Sequence, residues 1–281
     1  MFPGAPAPGR AGDPGLFGPD SVAWRVGRER LLLAGGPAAL LMQVAHPLVA
    51  AGVSAHSDFE ADPLRRLRGT MGTTLTVTFG DASQAEAAVS AVARRHRSVR
   101  GRLPVRSGDF AAGTPYRAED PDLALWVYAT LVWSAVRVAD TFFSPLTKAQ
   151  RDAYTAEMRA FGALFGAHEE AMPIDFAALD RLVRHRVDDV LVVGPVAHGI
   201  AAQILRPDPP LLPVTLRGLP SLLAASLLPE ELREAYDLAW RRRERLLFAM
   251  IRTTIRVARP LLPGRVRFWP HYRLARQRLA P

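Results

Sequence analysis

The side chains whose types and spacing could do chemistry are few, and most are histidines and arginines. Val89, Val92, His96 and Val99 follow i, i+3, i+7, i+10 spacing, so a helix would carry all four on one line. An imidazole on an apolar stripe has two uses: a core hydrogen bond to a carbonyl, or ligation of a metal. Arg66 and Thr70 are four apart and share a helix face. A guanidinium taken into a pocket needs an anion beside it, a cofactor carboxylate or a bound oxyanion, and Thr70 would set a hydroxyl at an oxygen ligand. The alternative for Arg65, Arg66 and Arg68 is a solvated helical face. His46 precedes Pro47, so its ring either satisfies a local backbone group or turns to a cofactor. His56 reads as a loop or cap residue.

Many site patterns are missing. The sequence holds no P-loop, no GxGxxG after a strand, no HExxH, no GxSxG elbow and no paired Glu-x-x-His motifs. The absence of cysteine removes thiolate zinc sites, cysteine-ligated iron–sulfur clusters and cysteine nucleophiles. One histidine and a few arginines on an apolar helical framework suit a flat apolar cofactor such as haem, with His96 on the iron and arginine at the propionates.

Helices must position these groups, and helix signals dominate. Asp20 and Ser21 cap a helix through Val22–Arg30, and Gly35-Gly36-Pro37 breaks it before a second from Ala38 to about Ala51, kinked at Pro47. Thr73–Phe79 has the composition of a strand but no partner strand, so helical or extended packing is expected. Asp81 or Ser83 opens a helix to about Val99. Asp120-Pro121 starts another to about Ala139, apolar nearly all round and therefore central. Further helices follow from Thr147, Asp175, Val190, Pro229 and Arg245. The fold class is all-α: one multi-helix domain over 20–281, preceded by a Gly- and Pro-rich arm over 1–19 that is either mobile or an irregular cover on the first helix.

With 281 residues and 49% hydrophobic content, a sizeable core forms and wholesale disorder is excluded. The net charge of +9 is unevenly spread. From Pro229 onward there are 13 arginines and five acids, and no acid follows Glu244. Such a basic segment suits an anionic lipid surface, an acidic partner or nucleic acid. No apolar secretory leader is visible, so the reading is cytoplasmic, with peripheral membrane contact left open.

Three segments in order are distinctive: QVAHPLVAAGVSAHSDFEADPLRRLRGTMGTTLTVTFGD, then His96 within RRHRSVRG, then AEDPDLALWVYATLVWS. From about Gly15 to Trp240 the chain resembles the oxygenase family typified by the rubber oxygenase (latex-clearing protein) catalytic domain and the MpaB-type fungal oxygenases. The resemblance implies a globin-like helical core with a buried pocket for b-type haem. It also implies dioxygen-dependent cleavage of carbon–carbon double bonds in a hydrophobic, isoprenoid- or lipid-like substrate. It makes His96 the proximal iron ligand and matches Arg66 and Thr70 to the R-x-x-K-T pattern, with Gly69 where that pattern has lysine. Tyr128 stands where many relatives carry histidine, so with His46 it joins the candidate cofactor contacts. Leu41, Val44, Leu131 and Trp133 are candidates to line a tunnel for an alkene. Two other functions compete: a haem or hydrophobic-ligand binder without turnover, and a nucleic-acid or membrane-surface binder using Arg265, Arg267, Phe268, Trp269, Tyr272 and Arg273.

Overall fold

The longest helix is also the most thoroughly buried, and its neighbours are laid around it. The computed structural model describes residues 7–56, 63–206, 213 and 216–280, with the backbone alone for 63–68. In chain order the elements are α1 (Val22–Gly27), a 3-10 turn (Arg30–Gly35), α2 (Gly36–Val44), α3 (Pro47–His56), α4 (Pro63–Phe79), α5 (Ala82–His96), β1 (Arg100–Arg102), β2 (Pro115–Arg117) and α6 (Pro121–Phe142). Then follow α7 (Lys148–Leu164), α8 (Phe176–Asp189), α9 (Pro195–Leu205), α10 (Leu219–Leu227), α11 (Glu230–Ala235), α12 (Arg242–Ala258), α13 (Gly264–Arg267) and α14 (Pro270–Arg278).

Asp120 caps α6 through its carboxylate, which accepts from the Asp122 N–H at 2.9 Å, and Pro121 supplies the first turn. The helix packs against α2, α7, α8, α12 and the 3-10 turn, which is why Trp126, Ala129, Val132, Val136 and Ala139 are all buried. It is long and apolar enough to cross a membrane, yet 67% of its most apolar stretch is covered by the rest of the fold. Its polar side chains serve the interior. Trp126 Nε1 donates to Met42 O, and the Thr130 hydroxyl accepts from Gln43.

The predicted helix over Ala38–Ala51 is two helices. α2 with its preceding turn and α3 meet at a bend of 102°. Pro47 has no N–H and begins α3, which strands the last carbonyls of α2. Groups from elsewhere bond carbonyls near this break: Trp126 Nε1 donates to Met42 O, the Tyr236 hydroxyl to Leu41 O at 2.8 Å, and the Val192 backbone N–H to Ala45 O.

The strand-like run Thr73–Phe79 is helical. The Thr74 and Thr78 hydroxyls bond back to the carbonyls of Thr70 and Thr74, using their polarity inside the helix, while Leu75, Val77 and Phe79 bury their side chains. The one departure from an all-helical pattern, among the described residues, is the short antiparallel ribbon of β1 and β2, with Gly101 opposite Tyr116. Later helices start close to their predicted caps, except that α9 opens at Pro195 rather than Val190.

Both ends of the chain are tied down. In the expected arm over 1–19, the Arg10 N–H donates to Asp81 at 2.7 Å and the Gly12 N–H to Arg278 O. Gly15 adopts φ +71°, and a Cβ there would run into the Gly80 carbonyl, so only glycine fits. At the other end, Glu29 is 1% exposed and is held by Arg259 and Arg267, with Nη2–Oε1 distances of 2.8 and 2.6 Å. Trp269 and Tyr272 are buried beside it, and Arg28 stacks on Phe268 with its guanidinium 4.7 Å from the ring centre. The basic C-terminal segment is therefore packed structure over 267–278.

Candidate functional site

The candidate site is built on a helical hairpin. Asp81 ends α4's connection and starts α5 with a reciprocal capping box: its carboxylate accepts from the Gln84 N–H, and the Gln84 side chain accepts from the Asp81 N–H. Burial alone would raise the Asp81 pKa. The N–H groups of Gln84 and Arg10 and the Ser83 hydroxyl outweigh that and hold the carboxyl below its usual range.

The two helices pack side by side from this turn. Arg66 lies fourteen residues before Gly80 and His96 sixteen after it. At about 1.5 Å per residue, their levels along the hairpin differ by about 3 Å. The backbone thus brings Arg66 and His96 to the same far end, whereas Thr70 sits about one turn nearer the loop. The Arg66 side chain lies outside the described residues. Thr70 is exposed, and among the described residues no heavy atom lies within 4 Å of where a Cβ on Gly69 would be.

His96 is the last residue of α5 and is exposed, while Val89 and Val92 on its line are half-buried. The predicted stripe therefore surfaces at His96, while Val99, its last member, is half-buried. Four residues on, the Arg100 carbonyl accepts a hydrogen bond from His56 Nε2 at 3.1 Å, and Tyr116 Oη is 3.5 Å from the same nitrogen. A carbonyl only accepts, so Nε2 carries the proton in this bond. The ribbon thus draws His56, at the end of α3, toward the His96 end of α5. Sequence reasoning passed over His56 as a loop residue; its place inside the distinctive first segment was the available signal.

The remaining sequence candidates lie elsewhere. His46 is 1% exposed; its Nδ1 accepts from the Leu48 N–H at 3.3 Å, capping the start of α3. Its ring lies 5.4 Å from that of Phe110. Burial, and then the Arg186 guanidinium, lower its pKa to about 4, so the ring is neutral at pH 7. Nε2 is buried and makes no hydrogen bond among the described residues. Tyr128 faces α7: its hydroxyl donates to Thr155 O at 3.2 Å, and burial raises its pKa to about 12. The structure thus groups His56 with Tyr116 and the Arg100 carbonyl, four residues past His96, and it does not bring Tyr128 to them. Of the expected tunnel residues, Trp133 is buried in the main core and Leu131 packs against it. Leu41 lies in the main core, Val44 packs with Ile200, and the Trp133 indole donates to Asp180 on α8.

An exposed imidazole ending a half-buried apolar line is the kind of side chain that could hold a haem iron. His96 is exposed at the end of a half-buried apolar line, and the neighbouring helix is open at Gly69. Among the described residues no three histidine or carboxylate side chains gather to hold an ion directly. An iron held by His96 would need further ligands from a cofactor, and a porphyrin could supply them.

Comparison with known proteins bears on this geometry. The family described as "ER-bound oxygenase mpaB/B'/Rubber oxygenase, catalytic domain" matches residues 24–259. Two curated relatives, an uncharacterized protein of Mycobacterium bovis and an uncharacterized protein of Mycobacterium tuberculosis, are each 29% identical over 240 residues, covering 82% of this chain and 89% of theirs. No solved structure matches.

Proposed function

Since the chain belongs to the family of ER-bound MpaB-type and rubber oxygenase catalytic domains, we propose that it is a haem b-dependent oxygenase. In this reading it acts with dioxygen on an unsaturated hydrophobic substrate, isoprenoid- or lipid-like, from the cytoplasm or a membrane surface. Oxidative cleavage of the double bond would place one atom of dioxygen on each new carbonyl, so no external reductant is needed. When bound in a globin-like core, the haem supplies the redox chemistry that lets dioxygen react with an alkene.

The chain's own residues have separate tasks. His96 donates an imidazole nitrogen and fixes which face of the cofactor is turned to α5. Arg66, at the same end of the hairpin, neutralises a propionate or orients oxygen, and Thr70 offers a hydroxyl one turn away. Half-buried Val89 and Val92 keep water from the cofactor edge. Glycine at position 69, where the family's pattern has lysine, carries no side chain and would leave that position open to gas and substrate.

The observation that carries this reading is the level placement of His96 and Arg66 by the α4–α5 hairpin, with the His96 ring outside the packed core. A visible spectrum of the purified protein tests it. A Soret band that shifts with carbon monoxide and is lost in His96→Ala is expected. A haem-reconstituted protein whose spectrum is unchanged in that variant would overturn it. Oxygen uptake with squalene or polyisoprene then tests turnover. The open position at Gly69 also favours a second reading, a haem-binding protein without turnover, which a normal Soret band with no oxygen uptake would support.

A further inference from the structure

The aromatic side chains of the C-terminal segment are buried and Arg267 is spent on Glu29, so that segment offers little free surface. The exposed apolar surface lies just before it. Among the described residues, seven of the twelve exposed large apolar side chains fall between 246 and 266. On α12, Phe248, Ile251 and Ile255 face α6 and α10. At about 100° per residue, Leu246, Met250 and Val257 share a line on the opposite side of the helix. They are 58%, 66% and 66% exposed, and Leu261, 80% exposed, continues the line past the helix end. Arg242 and Arg243 flank it at one end, both exposed and without an ion pair among the described residues.

We propose that this outward face of α12 docks on an anionic lipid bilayer, lying in the headgroup plane with Leu246, Met250, Val257 and Leu261 turned to the acyl chains. A helix of 17 residues with a basic flank and an apolar line is the form that sits in a bilayer interface. The charge selects the occupant. A second copy meeting this face would set arginines against arginines, and the chain has no acid after Glu244, itself spent on capping α12 at the Arg241 N–H. A nucleic-acid backbone would meet the arginines but leave the apolar line in water. Acidic headgroups over hydrocarbon satisfy both. This inference stands independently of the haem reading.

Flotation of the full chain with phosphatidylcholine vesicles containing phosphatidylglycerol, against vesicles of phosphatidylcholine alone, tests it. Binding to the mixed vesicles is expected, weakened by salt, and reduced at least about tenfold in the double variant Met250→Asp, Val257→Asp. Arg243→Gln should cost about fivefold. Met250→Leu with Val257→Leu should retain binding, which separates lost apolar contact from misfolding. Equal binding to both vesicle types, no binding, or binding unaffected by the aspartates would overturn the proposal. So would a dimer in light scattering that the aspartates dissociate. None of these outcomes depends on haem content.

Discussion

The Glu29 clasp and the far end of the α4–α5 hairpin divide the labour of this molecule. At the clasp, a carboxylate with 1% exposure is matched by two guanidinium groups, and the surrounding aromatics are buried. At the hairpin end, His96, His56 and Thr70 are exposed. One region buries its polar groups against one another and holds the fold; the other carries them at the surface. Polar residues near each other therefore say little until burial shows whether their partners are already present.

Experiments can break that contrast, starting with the clasp. Glu29→Ala leaves two arginines facing a buried void and should cost about 3–5 kcal/mol in urea denaturation. A loss below about 1 kcal/mol would mean the clasp is a surface ion pair. Next comes acid sensitivity. Burial lowers the His46 and His271 pKa values to about 4 from 6.5. The unfolded chain binds those protons near pH 6.5 and the folded one only near 4. Stability is therefore complete above that window and falls through it, by at most about 1.4 kcal/mol per pH unit for each histidine. His271→Phe should flatten the profile; an unchanged slope would place the proton uptake elsewhere.

Smaller effects sharpen the hairpin side. Asp81→Ala removes a capping box and the Arg10 anchor, and should lower thermal stability by about 1–2 kcal/mol. His96→Ala should change the stability of the haem-free protein by less than about 0.5 kcal/mol, as for an exposed site, while abolishing the Soret band. A large destabilisation of the haem-free protein would show that His96 is structural and join the two regions into one class.

Much of the helical order was legible because its signals are local. Ser21, Asp81, Asp120, Thr147 and Asp175 all cap the helices their positions announced. What escaped depends on distant partners. Nothing near Glu29 in sequence points to Arg259 or Arg267, and the packed C-terminal aromatics could equally have been a free surface. Val89, Val92 and His96 do share a helix line, but periodicity does not say where along it the core stops. His56 drew no attention because its bond to Arg100 O depends on the ribbon register. Tyr128 lies on the central helix, and only the packing of α7 shows which way its hydroxyl turns.

The clasp also bears on where this protein may be cut. The stretch matched by homology stops at residue 259, before Arg267, Trp269 and Tyr272. A chain trimmed there would keep the carboxylate and one arginine but lose the second cation and the aromatic roof above it. The stretch matched by the family is thus shorter than the packed structure, and the last two dozen residues belong in any preparation meant to hold its shape.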